Sequence, residues 1–512
     1  MKNGHKIDML VFPSSIWKWV CMTGIILLAG ALPLKAESEP SSDSPRMEMT
    51  LAEAVNVVLR SNRAVKSTYL DRVVQKFDLK VARDKFNPDV DFNSSASYTG
   101  SETHTKGENR ATSAGLAFSS SLTTTKRIES GGEFSFSWNR TDNLSDTNTS
   151  PEDRTGSNSW AINFTHPLLK GAGVDVNTAS VILAELNEQS NILSHRGTII
   201  STVNSTIQAF RSYAQRIRQM DIVEASLERS RASLEMNKLL ISMGRMPANE
   251  IIQSESDVAN QEFDYETALN EVDNARLSLI NVLDLPRNTM INPKEETDLS
   301  PIHPNFDTCL KTAFENRADY LNAQMDLERT RINLVQAQDN MKWDLDFISG
   351  VSANATNKRY SSNSDTYDFA VGLNLKIPIY GDLTRKQSLL NAQTSLKKTK
   401  LNNEEIKQNI TLEVQDAVRE VETRLRQVGM AERSRELAEK KLSVENEKLK
   451  VGRSTNFQLV TFQNDLVDSQ NAEVDAKVAY LNALTFLDTI LGTTLKTWQI
   501  DYNKEYDKWP GK

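Results

Sequence analysis

The sequence predicts an α+β membrane protein with an internal two-fold repeat, its strands of the transmembrane β-barrel type and its helices long and coiled-coil-like. Three observations predict this. First, Met243-Gly244-Arg245 and Val451-Gly452-Arg453 each sit where one long helical pattern stops and another begins. At a shift of 208 positions, Tyr265, Ala268, Val272, Ala275, Leu279 and Val282 fall on Glu473, Ala476, Tyr480, Ala483, Leu487 and Ile490. Both sets step by three and four, the seam of helices lying side by side, and a repeat of this length decides the fold class. Second, each half carries segments that alternate with period two. Third, the patterns from Asn177 to about Ser242 and from Leu383 to about Lys450 contain no Pro, and Gly only at Gly197 and Gly429. At 1.5 Å per residue each reaches roughly 100 Å.

Composition fits this architecture. Of 512 residues only 38% are hydrophobic and 7% aromatic, too few for large compact cores but suited to long helices packed along narrow seams. Charged residues make up 25%, of both signs and interspersed, and no basic cluster points to nucleic acid. Lys2, Lys6 and Lys18 precede an apolar run from Val20 to Leu34, which ends in Leu34-Lys35-Ala36; this reads as a secretory signal cut after Ala36. The mature chain then carries 56 basic against 67 acidic residues, a balance of −11. Cys21 lies inside the signal, before the end of its apolar run, which argues against lipidation. Cys309 is left as a single cysteine, read as a small buried apolar residue.

The elements follow in order. Glu37 to Arg46 is a Ser/Pro/acidic linker. Thr50 opens a helix with Glu53 three residues on, a capping box, and the pattern runs to about Lys85 before Pro88 stops it. From Asp89 the period becomes two. Val90, Phe92, Ala96 and Tyr98 alternate with Asp, Asn, Ser and Thr. The pattern recurs around Leu116, Phe118 and Leu122; around Phe134, Phe136 and Trp138; and around Trp160, Ile162 and Phe164. The second half adds Leu345, Phe347 and Val351, where Ile348 blurs the polar face, and then Phe369, Val371, Leu373, Leu375 and Ile377. A soluble sandwich alternates in this way, and so does a barrel with its apolar side outward. The small hydroxyl-rich polar face and the aromatic residues near strand ends favour the barrel, with Phe136, Phe164 and Leu373 toward lipid and Ser135, Asn163 and Asn374 toward the lumen. Pro167 and Pro378 mark the strand exits, each followed by a Gly and a long helix. In the second of these helices Val414, Val418, Val421, Leu425 and Val428 form a heptad seam.

The helix before each strand group is duplicated too. Asn62-Arg63-Ala64 matches Asn316-Arg317-Ala318, and Ala82 to Phe92 matches Ala337 to Phe347. The divisions are a signal over 1–36, a linker over 37–49 and a first repeat over 50–290, with strands in 89–166 and a tip near 244. A linker over 291–304 leads to a second repeat over 305–495, with strands in 344–377 and a tip near 452, and to a C-terminal tail over 496–512.

No motif points to catalysis, a cofactor or a metal. There is no His-Glu-x-x-His, no phosphate-binding Gly loop and no Gly-x-Ser-x-Gly elbow, and His104, His166, His195 and His303 do not pair at ligand spacing. The residues thus exclude a recognisable enzyme and leave two readings, a membrane duct or an exported structural or adhesive coiled-coil protein.

The opening Met49-Thr50-Leu51-Ala52-Glu53-Ala54, the Asn62-Arg63 helix, Pro167-Leu168-Leu169, the doubled Gly-Arg tips and the two-part layout resemble the outer-membrane efflux protein family, the TolC-like channels of Gram-negative bacteria. The resemblance covers residues 48 to 495. It implies a homotrimer whose protomers share one outer-membrane β-barrel, in contact with outer-membrane lipid, and continue it as a coiled-coil tunnel in the periplasm. It also implies a non-enzymatic exit duct of a tripartite efflux or type I secretion system, docked onto a periplasmic adaptor (membrane fusion protein) that is coupled to an inner-membrane pump. On that basis Met243, Gly244, Arg245, Val451, Gly452 and Arg453 are the expected adaptor contacts, and Glu250, Gln458, Thr461 and Asp465 the entrance region. Two departures stand out. The family gives two strands per repeat, whereas the first repeat here offers four, the additional pair near 112–139 either widening the barrel or lying outside it. Gln458 and Thr461 stand where the family often carries acidic residues.

Overall fold

A computed structural model describes residues 46–104, 111–147, 150–294, 300–358, 363–451 and 453–500. The expected signal over 1–36, Gly452, part of the second linker and the tail beyond 500 lie outside the described residues. Within stretches that composition reads as linker, β1 (Arg46–Met49) pairs in parallel with β6 (Met290–Pro293). The capping box forms: the backbone N–H of Thr50 donates to the Glu53 carboxylate at 2.8 Å, and the Glu53 N–H donates to the Thr50 hydroxyl at 3.3 Å.

The helix expected to run unbroken to Lys85 is two helices, α1 (Leu51–Ser61) and α2 (Arg63–Asp84). Asn62, with ψ of 130°, ends one and caps the other. Its side-chain oxygen accepts from the N–H groups of Ala64 at 2.8 Å and Val65 at 3.4 Å. A local side-chain cap of this kind competes with helix continuation, which apolar periodicity does not register. The second half breaks likewise between α6 (Phe306–Asn316) and α7 (Ala318–Asp339), at Arg317. The capping positions therefore align Asn62 with Arg317, one residue away from the Asn-Arg-Ala match in sequence.

Six strands form one antiparallel sheet in the order β2 (Asp89–Thr103), β3 (Ala111–Arg127), β4 (Glu133–Thr147), β5 (Ser150–Pro167), β7 (Asp344–Lys358) and β8 (Ser364–Lys376). The additional pair is thus β3 and β4, paired residue by residue within the sheet. The register collects Val90, Phe136, Ile162, Val351 and Phe369 in one row across the sheet, and Phe92, Leu122, Trp138, Trp160, Ala353 and Tyr367 in the next. Asp91, Ser135, Asn163, Gly350 and Ala370 lie on the opposite face, as does Ile348. A soluble sandwich would cover the apolar face with a second sheet. Here, among the described residues, no second sheet packs on it, and Phe369 is 86% exposed.

Beyond the strands, the helix expected from Asn177 begins with a short turn, α3 (Val174–Asn177), before α4 (Ala179–Ser242), which runs antiparallel to α5 (Glu250–Leu283). The second half gives α8 (Leu383–Lys450) and α9 (Asn456–Leu491), then a last turn, α10 (Thr494–Thr497). The heptad seam packs as the spacing predicts. Val421 and Val428 are buried against Tyr480, Ala483 and Leu487, with Val418 and Leu425 alongside, while Val414 packs with Cys309 and Ala313. In the first half Leu51, Val55 and Val58 pack on Ile199, Val203, Ile207 and Phe210 of α4 and on Leu279 and Leu283 of α5. Burial raises the Cys309 thiol pKa, in keeping with a packing role. Among the described residues, no helix is long and apolar enough to cross a membrane.

Candidate functional site

The two hairpin tips are built on helix-end geometry. At the end of α4 the N–H of Gly244 donates to Ile241 O at 2.9 Å and that of Arg245 to Leu240 O at 2.9 Å. This is a Schellman cap, and it needs a left-handed residue at its centre: Gly244 has φ of +72°. At the second tip the Arg453 N–H makes the matching bond to Lys448 O at 2.8 Å. Met243, Arg245, Val451 and Arg453 are all exposed, and no hydrogen bond or ion pair engages either guanidinium among the described residues. Ile252, Leu239 and Phe457 add exposed apolar surface near the tips.

Just behind the tips lies a polar cluster that the sequence does not advertise. Asn237 of α4 is 1% exposed and donates to the Ser254 hydroxyl of α5 at 2.8 Å and to Asn456 Oδ1 of α9 at 2.9 Å. Asn456 in turn donates to Ser254 at 3.0 Å. The cluster ties the first hairpin to the second. Further along the same α4–α9 seam Arg211 donates to Leu481 O at 2.8 Å and Thr485 Oγ1 at 2.7 Å, Asn204 to Thr489 at 2.8 Å, and Arg196 to Gly492 O at 2.6 Å. The seam inside the second hairpin has an apolar centre flanked by the ion pairs Arg435–Glu473, Lys441–Asp465 and Lys477–Glu432, whereas the hydrogen bonds between hairpins come from buried or half-buried polar side chains. Single Asn and Arg residues in a long charged helix carry no spacing signal, and their partners lie far off in sequence.

The expected entrance residues stand on α5 and α9. Glu250 opens α5 at the first tip. Thr455 caps α9 by accepting from the Gln458 N–H at 3.3 Å, and Thr461 bonds back to Phe457 O at 2.9 Å. Asp465 is held by Lys441 of α8 at 2.7 Å, and that ammonium also lies 3.7 Å from the Phe462 ring centroid. Closer to the second tip Glu445 is buried and accepts from Ser454 at 2.5 Å and Lys448 at 3.0 Å. These bonds, Ser454's first, hold its pKa below the usual carboxylate value.

At the other end of the helices Pro167 closes β5 opposite Asp346, and the chain keeps contact with β7 through Leu168 N–H to Leu345 O at 2.7 Å. Pro378 stands two residues beyond the end of β8. The β3–β4 turn is set into the first exit. Gly131 has φ of +102°, and a Cβ there would lie 2.4 Å from Gly171 O and 2.9 Å from Pro167. In the sheet, Trp138 and Trp160 face each other in register, and the Trp138 indole donates to Asn158 at 2.7 Å.

Residues 310–493 match the family model described as outer membrane efflux protein, a span that contains Pro378 and the second tip. No curated protein matches the sequence. Among solved structures the chain is similar to the outer membrane protein VceC of Vibrio cholerae, with TM-score 0.63 and 14% identity over 86% of this chain and 96% of that one. It is similar to the CmeC outer membrane channel of Campylobacter jejuni, with TM-score 0.62 and 12% identity over 88% of each chain. The open state of the MtrE outer membrane channel of Neisseria gonorrhoeae gives TM-score 0.61 and 14% identity over 87% and 89%. At these identities the likeness is one of fold, and it accords with the resemblance read from the tips and strand exits.

Proposed function

We propose that this chain, which the match over residues 310–493 identifies with the outer membrane efflux proteins, forms a homotrimeric exit duct of a tripartite efflux or type I secretion system. One observation carries the reading: a six-stranded sheet with an uncovered apolar face runs directly into helices of 64 and 68 residues. The sheet side of each copy lies in the outer membrane, and the helices, about 100 Å long, extend through the periplasm. Its action is passive. Substrate enters between the hairpin tips and leaves through the barrel, with no covalent chemistry at any residue. Met243, Gly244, Arg245, Val451, Gly452 and Arg453 meet the periplasmic adaptor, and Glu250, Gln458, Thr461 and Asp465 lie about the entrance.

The test joins fractionation to conductance. The mature protein should sediment with outer membranes, require detergent for release, run as a trimer and give discrete channels in a planar bilayer. A mature form that stays soluble without detergent would sink the reading.

A further inference from the structure

The protomer ends in two unsatisfied edges, each made of a strand and the helix joined to it. Among the described residues β2 pairs only with β3, and β8 only with β7. An open strand edge is not tolerated in lipid, where no water can satisfy its N–H and C=O groups. Every neighbouring pair is antiparallel, so across six strands the two edge strands run in opposite directions. They can therefore pair with each other head to tail between copies, a contact that closes a ring.

The attached helices tell the same story. The helix leading into β2, α2, leaves Leu70, Val73, Val74, Phe77 and Val81 exposed, a stripe at helical spacing. The helix that follows β8, α8, leaves Leu390, Leu401 and Leu412 exposed, at eleven-residue steps that keep one face. α2 leads directly into edge strand β2, and α8 follows edge strand β8.

The junction between the two halves of the chain supplies a template. There α4 packs on α7 through Ser190 to Asn322 at 2.8 Å and Arg329 to Leu186 O at 3.0 Å. Above them β5 pairs with β7: His166 with Phe347, Phe164 with Ser349, Ile162 with Val351 and Trp160 with Ala353. The match of Phe347 to Phe92 and of Pro167 to Pro378 carries this register onto the free edges. It sets Ile377 against Phe92, Leu375 against Ser94, Leu373 against Ala96 and Val371 against Tyr98. The transfer uses two independent offsets, so it was free to oppose the apolar face to the polar one. It does not, since Phe92, Ser94, Ala96 and Tyr98 share the face of Val371, Leu373 and Leu375.

The added hairpin belongs to this wall. Both of its strands are laddered along their length, and its turn is clamped at the exit of β5 by Gly173 N–H to Ser130 O at 3.1 Å and by the close approach of Gly131 to Gly171.

We infer that β8 of one copy pairs with β2 of the next in the β5–β7 register, with Leu373 facing Ala96, so that three copies of six strands close an 18-stranded barrel. This rests on the duct reading above. Barrel diameter grows roughly linearly with strand number, so the pore at this level is about half again as wide as four strands per copy would give.

The experiment uses the full chain with Cys309→Ala, which leaves no other cysteine past the signal. Leu373→Cys with Ala96→Cys should, on oxidation in outer membranes, give reducible dimer and trimer bands, because directly opposed antiparallel positions suit a disulfide. Leu373→Cys with Phe92→Cys, four residues out of register, should give at least tenfold less. Projection images of the purified trimer should show the widened barrel. Cross-linking in the displaced pair, or none between copies of a membrane-embedded trimer, would overturn the inference, as would a barrel of four-strand width. A Cys309→Ala parent that is no membrane trimer overturns the duct reading itself.

Discussion

Arg72 of α2 reaches Glu188 of α4 through two hydrogen bonds, of 2.8 and 2.5 Å, between side chains only 10% and 14% exposed. The guanidinium holds the Glu188 carboxyl below its ordinary pKa against the opposing effect of burial. A carboxylate whose pKa falls on folding contributes stability that is present above its unfolded pKa, about 4.3, and lost as pH falls through the lower folded value. The helical melting midpoint of the detergent-solubilised protein should therefore fall on acidification below about pH 4, and Glu188→Gln should flatten that part of the profile. Arg72→Ala strands the carboxylate among packed helices and should cost about 3 kcal/mol, read from the same melts. Nothing in the sequence marks this pair, because its members stand 116 residues apart. The tips were legible for the opposite reason: a Schellman turn is local and its Gly stands in the sequence. At the tips, Arg245 and Arg453 are exposed cations, suited to carboxylates or carbonyls of an adaptor hairpin. Arg453→Ala should leave the trimer folded and reduce adaptor cross-linking or change single-channel conductance, with Arg245→Ala a weaker version. If both readouts in Arg453→Ala match the parent, the arginine is only a solvated cap.

At the scale of elements, the strands were readable because alternation is a property of each segment alone, while their neighbours were not. The period of two identifies β3 and β4 as strands, but only the ladder, with Phe134 opposite Phe164 and Thr124 opposite Phe136, places them within the sheet. Helix breaks were missed where side-chain capping decides, as at Asn62. Facing gives a direct test of the sheet. Leu373 and Asn374 are adjacent and lie on opposite faces. Leu373→Arg should cost about 2–4 kcal/mol near the bilayer midplane and Asn374→Arg much less, measured by folding into lipid vesicles. Equal sensitivity at the two sites would remove the outward-apolar assignment. The β3–β4 turn is testable separately. Gly131→Val combines a left-handed backbone with a clash against Gly171 O. It should lower the yield of heat-resistant trimer, whereas Gly100→Val, where a Cβ would have nothing within 4 Å, should not.

For the whole molecule, the contrast between seams matters more than any one contact. Within the second hairpin, α8 and α9 are joined by ion pairs at the flanks and, at the centre, by Val421, Val428, Tyr480, Ala483 and Leu487, an apolar contact that separation would expose to water. Between hairpins, α4 and α9 are joined by Arg196, Asn204, Arg211 and the Asn237–Ser254–Asn456 cluster, groups that water can satisfy once they part. A duct that opens at its tips will therefore separate hairpin from hairpin and leave each hairpin whole. The heptads that announced coiled coils could not distinguish these seams, since both halves carry similar spacing and the difference lies in partners far apart in sequence. The polar cluster nearest the tips is the place to bias the change. Asn237→Ala removes the donor shared by Ser254 and Asn456 while leaving the turn at Gly244 intact. A lost buried partner costs about 1–3 kcal/mol, which would shift an open–closed equilibrium by roughly 5- to 150-fold. Asn237→Ala should thus raise the open probability of single channels in a planar bilayer with no change in trimer mass. Replacing the cluster by Asn237→Leu, Ser254→Ala and Asn456→Leu should lower it, because the seam then closes on apolar surface. An open probability that is the same in both variants and the parent would show that the hairpins do not part at this seam.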